Sequence, residues 1–458
     1  MGMLHLPDAA TPVSRASHRP LLNSAHVAFT TIALFSVFGS NFLRNLLGWY
    51  GFSAIIVALI VVSIIWIVRS GSVGLFRRLP KALLLFVAYA LLSTIWSHWP
   101  LETLAGSGIL WATIIVAVPI AALVSWEELL AGFSLALRWI IGLSLLFELI
   151  VSTIIRHPVL PLWINWTTAE DAPLMLLWSR NLLFVDGKIQ GVLGNSSMLA
   201  SVALLALIAV CVQLAAHRIG RISGGIWIVV IVGTLVLTRS ATVTIAGVVV
   251  LVALAVILLR RRITSAAGRL GFYAAVTALA VAALTIVVMF WNQILGLFGK
   301  SGDLTGRVEI WRNVIELAQQ KPAFGWGWLG YWPPWVEPLN NLNIRWGVVQ
   351  LHAHDSWIDL WMQVGIVGLV IFALFVLVTT LRSASSAIHT AWHPTRKRLE
   401  FSAVSLFPAL LMVMFLVQNI TESRFLVEEG LLMLCILGIK LKLDPFVPDE
   451  PLVVRGRR

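Results

Sequence analysis

IIVALIVVSIIWIV, residues 55–68, runs for fourteen residues without a charge, and its one hydroxyl belongs to Ser63. GVVVLVALAVILL, residues 247–259, repeats the pattern. The whole chain is 59% apolar and 12% charged, with a mean hydropathy of +0.91. Soluble domains are about one-quarter charged, and no protein core absorbs this much apolar surface. A bilayer does. In hydrocarbon every backbone polar group must be satisfied internally, which leaves helices or closed barrels. Barrel strands alternate polar and apolar positions, whereas these runs are continuous. The sequence therefore predicts an all-α, polytopic membrane protein, at roughly 20 apolar residues per crossing.

Marking every comparable run predicts about twelve transmembrane helices, at 25–39, 50–68, 81–97, 107–124, 130–154, 192–215, 224–238, 241–259, 271–291, 357–381, 401–419 and 424–442. Charge tests that count independently, because cytoplasmic loops are enriched in Lys and Arg. With a cytoplasmic N-terminus, the even-numbered loops and both tails hold 21 of the 33 basic residues; the other side holds 11, and Arg138 lies inside a span. The bias predicts both termini inside. It also accounts for the net charge of +12 through anionic lipid headgroups, with no nucleic acid required. Cys211 and Cys435 fall inside apolar runs and read as small core residues, not as a disulfide or metal pair. The chain divides into a cytoplasmic tail (1–24), one membrane domain (25–442) and a basic cytoplasmic tail (443–458).

The longest polar interruption, about 292–356, is expected to be a large extracytoplasmic loop between spans nine and ten. Loops of this length are usually functional or disordered. In GRVEIWRNVIELAQQKP (306–322), Val308, Trp311, Val314, Ile315 and Ala318 recur at helical spacing, which predicts a helix lying on the membrane surface and stopped by Pro322. FGWGWLGYWPPW (324–335) sets Trp326, Trp328, Tyr331, Trp332 and Trp335 among glycines and prolines. Such residues form interfacial aromatic belts or a platform on which sugar rings stack, and both readings are open. Arg239 stands at a tight junction between two apolar runs; it snorkels to the interface or, with Thr238 and Ser240, lines a polar pocket. Arg307 and Arg312 sit in the loop helix on the same outer side. A guanidinium fork fits phosphate oxygens, so the arginines point to a phosphorylated ligand anchored in lipid.

LHAHDSWIDLWMQVGIVGL, residues 351–369, then places His352, His354 and Asp355 directly before an apolar run. Imidazole suits acid–base work near neutral pH, although a histidine at a helix end is commonly a hydrogen-bonding residue and Asp355 can serve as an N-terminal helix residue. The HxHD spacing lacks the i, i+4 geometry of helical zinc sites, so no metal is expected.

LTGRVEIW (304–311), QQKPAFGWGWLGYW (319–332) and HAHDSWIDLWMQVGIVGL (352–369) together resemble the signature of the O-antigen ligase and exopolysaccharide polymerase superfamily: TGR-x-x-x-W, then a proline and G-x-G, then H-x-H-N-x-x-L-x-x-x-x-x-G-x-x-G. LTRSA (237–241) and GVLGNSSMLA (191–200) resemble two further elements, and NITES (419–423) is similar to the exopolysaccharide-polymerising branch. The resemblance implies a glycosyltransferase related to the GT-C class, with its core over 192–381. It implies an undecaprenyl-diphosphate-linked glycan donor, a glycan or lipid-glycan acceptor, surrounding membrane lipids, and a flippase and chain-length regulator as companions, in the bacterial cytoplasmic membrane with the site on the outer face. Carried over by position, Arg239 contacts the donor diphosphate and Arg307 assists from the loop. His354 meets the acceptor hydroxyl, with inversion at the anomeric carbon and no cofactor. His352, Asp355, Arg312, Lys188, Trp328 and Trp332 complete the expected substrate-binding set.

Two positions depart from the family pattern. Asp355 replaces the Asn after the second histidine, and a carboxylate there favours the imidazolium. Gln190 stands where many members carry an arginine, with Lys188 close by. Three functions remain open from the sequence: polymerisation of lipid-linked repeat units, ligation of finished glycan to a lipid or other acceptor, and secondary transport or flipping of anionic or lipid-linked sugars. A transporter places its charges near the midplane on broken helices, whereas these gather in an outer loop and at span ends.

Overall fold

A computed structural model describes residues 22–164, 169, 171–185, 187–289, 293, 307–345, 347–389 and 401–444. Each apolar run folds as a helix: α1 (Ser24–Phe38), α2 (Ser40–Arg69), α3 (Lys81–Leu92), α4 (Pro100–Leu123), α5 (Trp126–Ile150), α6 (Ser196–Ala215), α7 (Arg221–Thr238), α8 (Ala241–Arg262) and α9 (Ala266–Met289). After the polar segment's α10 (Arg307–Gln320) come α11 (Ser356–Ile388), α12 (Leu406–Gln418) and α13 (Glu428–Leu443). Among the described residues, seven helices (α2, α4, α5 with its π-helical end, α6, α7, α8 and α11) are long and apolar enough to cross a membrane; α1, α3, α12 and the apolar part of α9 are shorter. The strands form one two-stranded hairpin, β1 (Ile344–Arg345) and β2 (Val348–Val349).

Polar caps mark where helices begin. Asn23 accepts from the Ala25 amide, Asn195 from Ser197 and Met198, and Ser125 with Glu128 forms a reciprocal capping box at α5. The helices run alternately between two faces. On one face, Lys440 Nζ donates to the Val124 carbonyl at 2.6 Å, Arg261 Nε to Ala387 at 2.7 Å, and Arg218 pairs with Glu127 at 3.4 Å. The junctions α1–α2, α3–α4, α5–α6, α7–α8 and α12–α13 lie at the other face with the 307–355 segment. Helix α6 is central and mostly buried, whereas α7, α8 and α2 are largely exposed. Cys435 is buried, but Cys211 is exposed on α6, which corrects the expectation that both are core residues.

Helix α11 is broken at Gly365, whose backbone (φ 66°, ψ −176°) is open only to glycine. The break frees backbone groups that hydrocarbon cannot satisfy, and the 322–327 loop takes them up. Trp326 and Gly327 amides donate to the Met362 and Gln363 carbonyls at 3.0 and 2.8 Å, while the Ile366 and Val367 amides donate to Pro322 and Ala323 at 2.9 and 3.2 Å. Both glycines are required by proximity, since a Cβ on Gly365 would collide with the Ala323 backbone and one on Gly325 with that of Gln363.

The expected surface helix is α10, and its setting differs from expectation. Ile310, Val314, Leu317 and Ala318 are buried in a core with Trp99, Leu329, Trp332, Val336 and Met362. Val308, Trp311 and Ile315 lie only half-buried beside that face. The apolar stripe therefore packs on protein rather than on the bilayer surface.

Candidate active site

Helix α11 begins at Asp355, whose Oδ1 accepts from the Trp357 and Ile358 amides at 2.8 and 3.0 Å. Burial pushes this carboxyl up from its ordinary pKa, and the two amide bonds oppose that shift. Capping needs only acceptor oxygens, so Asp355 performs locally what an Asn would. Immediately before it, His354 takes a left-handed backbone conformation (φ 54°), unusual for a residue with a Cβ and costing about 1–3 kcal/mol.

Three contacts hold that turn. The His354 amide donates to His352 Nδ1 at 3.1 Å, and the two imidazole centroids are 4.0 Å apart. One turn into α11, the fully buried Asp359 accepts from the Ala353 amide at 3.0 Å and from Trp332 Nε1 at 2.9 Å. Gln363, a turn further, donates to Asp359 at 2.8 Å, and its Oε1 accepts from the Leu329 and Gly330 amides at 2.8 and 2.9 Å. Asp359 and Gln363 thus lock the histidine turn to the tryptophan-rich loop, a role that the apolar look of WIDLWMQVG concealed.

The His354 ring sits between Glu422 and Gln350. Its Nδ1 is 3.3 Å from Glu422 Oε2 and its Nε2 is 3.1 Å from Gln350 Oε1. The other Glu422 oxygen accepts from Arg307 at 2.9 Å. Burial opposes the charge on Glu422, but His354, Arg307 and Arg424 outweigh it and hold the carboxyl well below the usual carboxylate range. His352 is shifted the other way for a base: burial first, then the charge of His354, lowers its pKa well below 6.5. A neutral His352 agrees with its role as acceptor for the His354 amide.

Glu422 was absent from the expected site. It lies in the NITES segment, which docks on the α11 N-terminus: the Ser356 amide donates to the Asn419 carbonyl at 3.1 Å, and Ser356 Oγ reaches Asn419 Oδ1 at 2.5 Å and the Glu422 carbonyl at 3.2 Å. Beyond it a second charged cluster continues inward. Arg424 lies 3.6 Å from Glu428 and 3.5 Å from Glu429, and Glu428 also pairs with Arg44 at the start of α2. Arg424 and Glu422 line a small cavity with Ser197, Ser201, Thr242 and Gln418.

The other expected residues divide clearly. Arg239 terminates α7 in a left-handed conformation (φ 48°) and is exposed; it stands three residues before the cavity-lining Thr242. Arg312 is exposed and lies five residues from Arg307, about 140° around the helix, so α10 turns only Arg307 inward. Lys188 is exposed in the 156–195 loop, and the buried Gln190 side chain donates to the Gly194 carbonyl at 2.9 Å. Trp328 and Trp332 are each 1% exposed. They offer no face to a sugar, and the stacking platform expected from them is corrected: Trp328 meets Phe86 edge-on in the core, and Trp332 serves Asp359. Thr305 and Gly306 of the TGR element lie outside the described residues.

His352, His354 and Glu422 present three ligand-type atoms within 4.8 Å of one another. The donor set does not suit a cation. Both His354 nitrogens and both Glu422 oxygens are already engaged, and Arg307 and Arg424 supply positive charge at the same place. The arrangement is a clamp that holds an imidazole against a carboxylate beneath two guanidinium groups. Such a site handles one proton and one developing negative charge.

The sequence profile of the O-antigen ligase family matches residues 225–373, a stretch that contains Arg239, Arg307, His352, His354 and Asp355. Over that stretch the chain is similar to the O-antigen ligase family. The exopolysaccharide production protein ExoQ of Rhizobium meliloti (strain 1021) is 33% identical over 94 residues, covering 19% of this chain and 21% of that protein. The chain therefore matches about one-fifth of the length of this curated relative. The profile ends within α11, before Glu422.

Proposed function

We propose that the protein is a twelve-span glycosyltransferase of the bacterial cytoplasmic membrane that polymerises undecaprenyl-diphosphate-linked oligosaccharide repeat units into surface polysaccharide. The observation that carries this reading is His354, held in a strained turn beside Glu422 and Arg307 at the same face as Arg239. His354 takes the proton of the acceptor hydroxyl as its oxygen bonds to the anomeric carbon. The bond from that carbon to the diphosphate breaks, and its electron pair leaves with the phosphate oxygen. Arg239 and Arg307 neutralise the departing charge, and attack opposite the leaving group inverts the anomeric centre. The similarity to ExoQ favours polymerisation. Ligation of a finished glycan to a lipid or other acceptor is the second reading, favoured by the description of the matched family.

Transport or flipping of lipid-linked sugars, left open by the sequence, draws less support. The carbonyls freed by the broken α11 are occupied by the chain's own 322–327 loop rather than open to a substrate.

The test uses lipid-linked oligosaccharide extracted from cells lacking the gene, labelled and given to the purified protein in vesicles without added metal. Longer glycan still on the carrier is the expected product, with at least about a 10²-fold loss in His354→Ala and in Arg239→Ala. Glycan moved to a different lipid identifies a ligase. Label crossing the vesicle with no new glycosidic bond overturns both.

A further inference from the structure

His354 presents both ring nitrogens to hydrogen-bond acceptors, Glu422 on one side and Gln350 on the other. The Gln350 assignment is fixed by its own amide group, which donates to the Val348 carbonyl at 3.0 Å and so turns Oε1 toward the imidazole. One ring nitrogen therefore meets a charged partner in a rigid setting. The Glu422 carbonyl accepts from Ser356 Oγ, Asn419 Oδ1 holds the Phe425 amide three residues on, and Arg307 binds the second Glu422 carboxylate oxygen. The other nitrogen meets a neutral side-chain oxygen at hydroxyl distance, carried on the short β1–β2 hairpin.

We propose that Glu422 is the orienting carboxylate of His354 and that Gln350 Oε1 holds the place taken by the acceptor hydroxyl during transfer. This deepens the glycosyl-transfer reading and rests on it. When the acceptor displaces Gln350, His354 keeps its Nδ1 proton on Glu422 and exposes the Nε2 lone pair, its Nε2 proton having passed to solvent. Nε2 then receives the hydroxyl proton as the glycosidic bond forms, and Glu422 stays ionised to balance the imidazolium. A carboxylate behind a histidine base fixes the tautomer and stabilises the charge that appears on the ring. Gln350 is a positioning residue that competes with the acceptor. Among the described residues, the charged and titratable groups facing His354 are Glu422 and Arg424 from the 419–424 turn, Arg307 from α10, and His352 from its own loop.

The assay is the one above, run from pH 5.5 to 9 with donor and acceptor concentrations varied separately. Glu422→Gln lowers kcat by about 10²–10³-fold and moves the acid limb of the rate profile to lower pH, because the anion favouring the charged ring is gone. Arg307→Lys slows the reaction without moving that limb. Gln350→Ala lowers the acceptor KM by about threefold or more, since the competing oxygen is removed. A Glu422→Gln enzyme whose acid limb stays in place overturns the dyad, whatever its rate. An acceptor KM unchanged or raised in Gln350→Ala overturns the placeholder, and this measurement decides if Glu422→Gln does not reach the membrane. Wild-type protein that forms no glycosidic bond overturns the underlying function instead, an outcome distinct from both.

Discussion

His354 shows how much of a site can be read from residue types and how much needs the fold. HAHD at the mouth of an apolar run marks an imidazole at a membrane boundary, and TGR marks an arginine near it. Their common partner, Glu422, lies 68 residues from His354, and only the docking of Asn419 on the α11 N-terminus brings it across. The NITES match was its only sequence signal. Asp355 was harder to read: beside a histidine it looks like a carboxylate tuning a base, yet its oxygen is spent on capping. His352 carries a consequence for pH. Its folded pKa lies below 6.5, so under acid conditions the unfolded chain takes up a proton that the fold refuses. Its contribution is unchanged above about pH 6.5 and turns against the fold as pH falls below it, by up to about 1.4 kcal/mol per pH unit. Glu422 does not blur this window. Its depressed pKa confers stability above the ordinary carboxylate value near 4.3, lost only as pH falls further. Between pH 6.5 and 5.5 the melting temperature of the wild-type protein is expected to change less favourably on acidification than that of His352→Gln; an equal pH dependence in both proteins removes His352 as a contributor.

Helix α11 was legible as an apolar run but not as two pieces. Hydropathy cannot report a break whose polar groups are satisfied by another segment, and the spacing G-x-G … G-x-x-G reads as family punctuation until Gly325 and Gly365 are seen back to back. The same docking explains why FGWGWLGYW looked like an exposed aromatic platform. Its tryptophans are drawn inward by the break and by Asp359 and Gln363, which are invisible as anchors within a hydrophobic run. Helix α10 shows a related failure: its periodicity was right, but its apolar face met protein instead of lipid. Gly365→Ala would place a Cβ against the Ala323 backbone at a conformation open only to glycine. The strained backbone alone costs about 1–3 kcal/mol, and the displaced loop carries Trp326 and Gly327 away from α11. Thermal melting in detergent is expected to drop markedly and polymer formation to fail with it. Gly233→Ala on α7, where nothing lies within 4 Å of the added methyl, should leave melting unchanged or raise it by the equivalent of about 0.5–1 kcal/mol. Equal tolerance at both positions would remove the loop docking as the reason for Gly365.

Across the whole molecule, composition and charge already indicated a helical membrane protein, and the helix order agrees with the apolar runs. What they could not indicate is the charged interior that joins distant helices, such as Arg44 of α2 to Glu428 of α13, 384 residues apart; each alone reads as an interfacial charge. The two faces of the bundle also differ in kind. One gathers Arg69, Arg77, Arg78, Arg218, Arg221, Arg260, Arg261, Arg262, Lys440 and Lys442, while the other holds the His354 clamp and the Trp99–Glu337 contact at 3.0 Å. Basic loops stay on the cytoplasmic side, so the clamp is expected to face outward, the side on which the proposed transfer takes place. Cysteine labelling tests that orientation in cells. In a background with Cys211 and Cys435 replaced by serine and alanine, Trp335→Cys samples the clamp face, at a position 71% exposed, and Thr264→Cys samples the exposed α8–α9 turn on the basic face. A membrane-impermeant maleimide is expected to label position 335 in intact cells, and position 264 only after permeabilisation. The reverse pattern would put the histidine on the cytoplasmic side, where basic side chains would serve substrate rather than headgroups, and the outward-facing reaction would have to be abandoned.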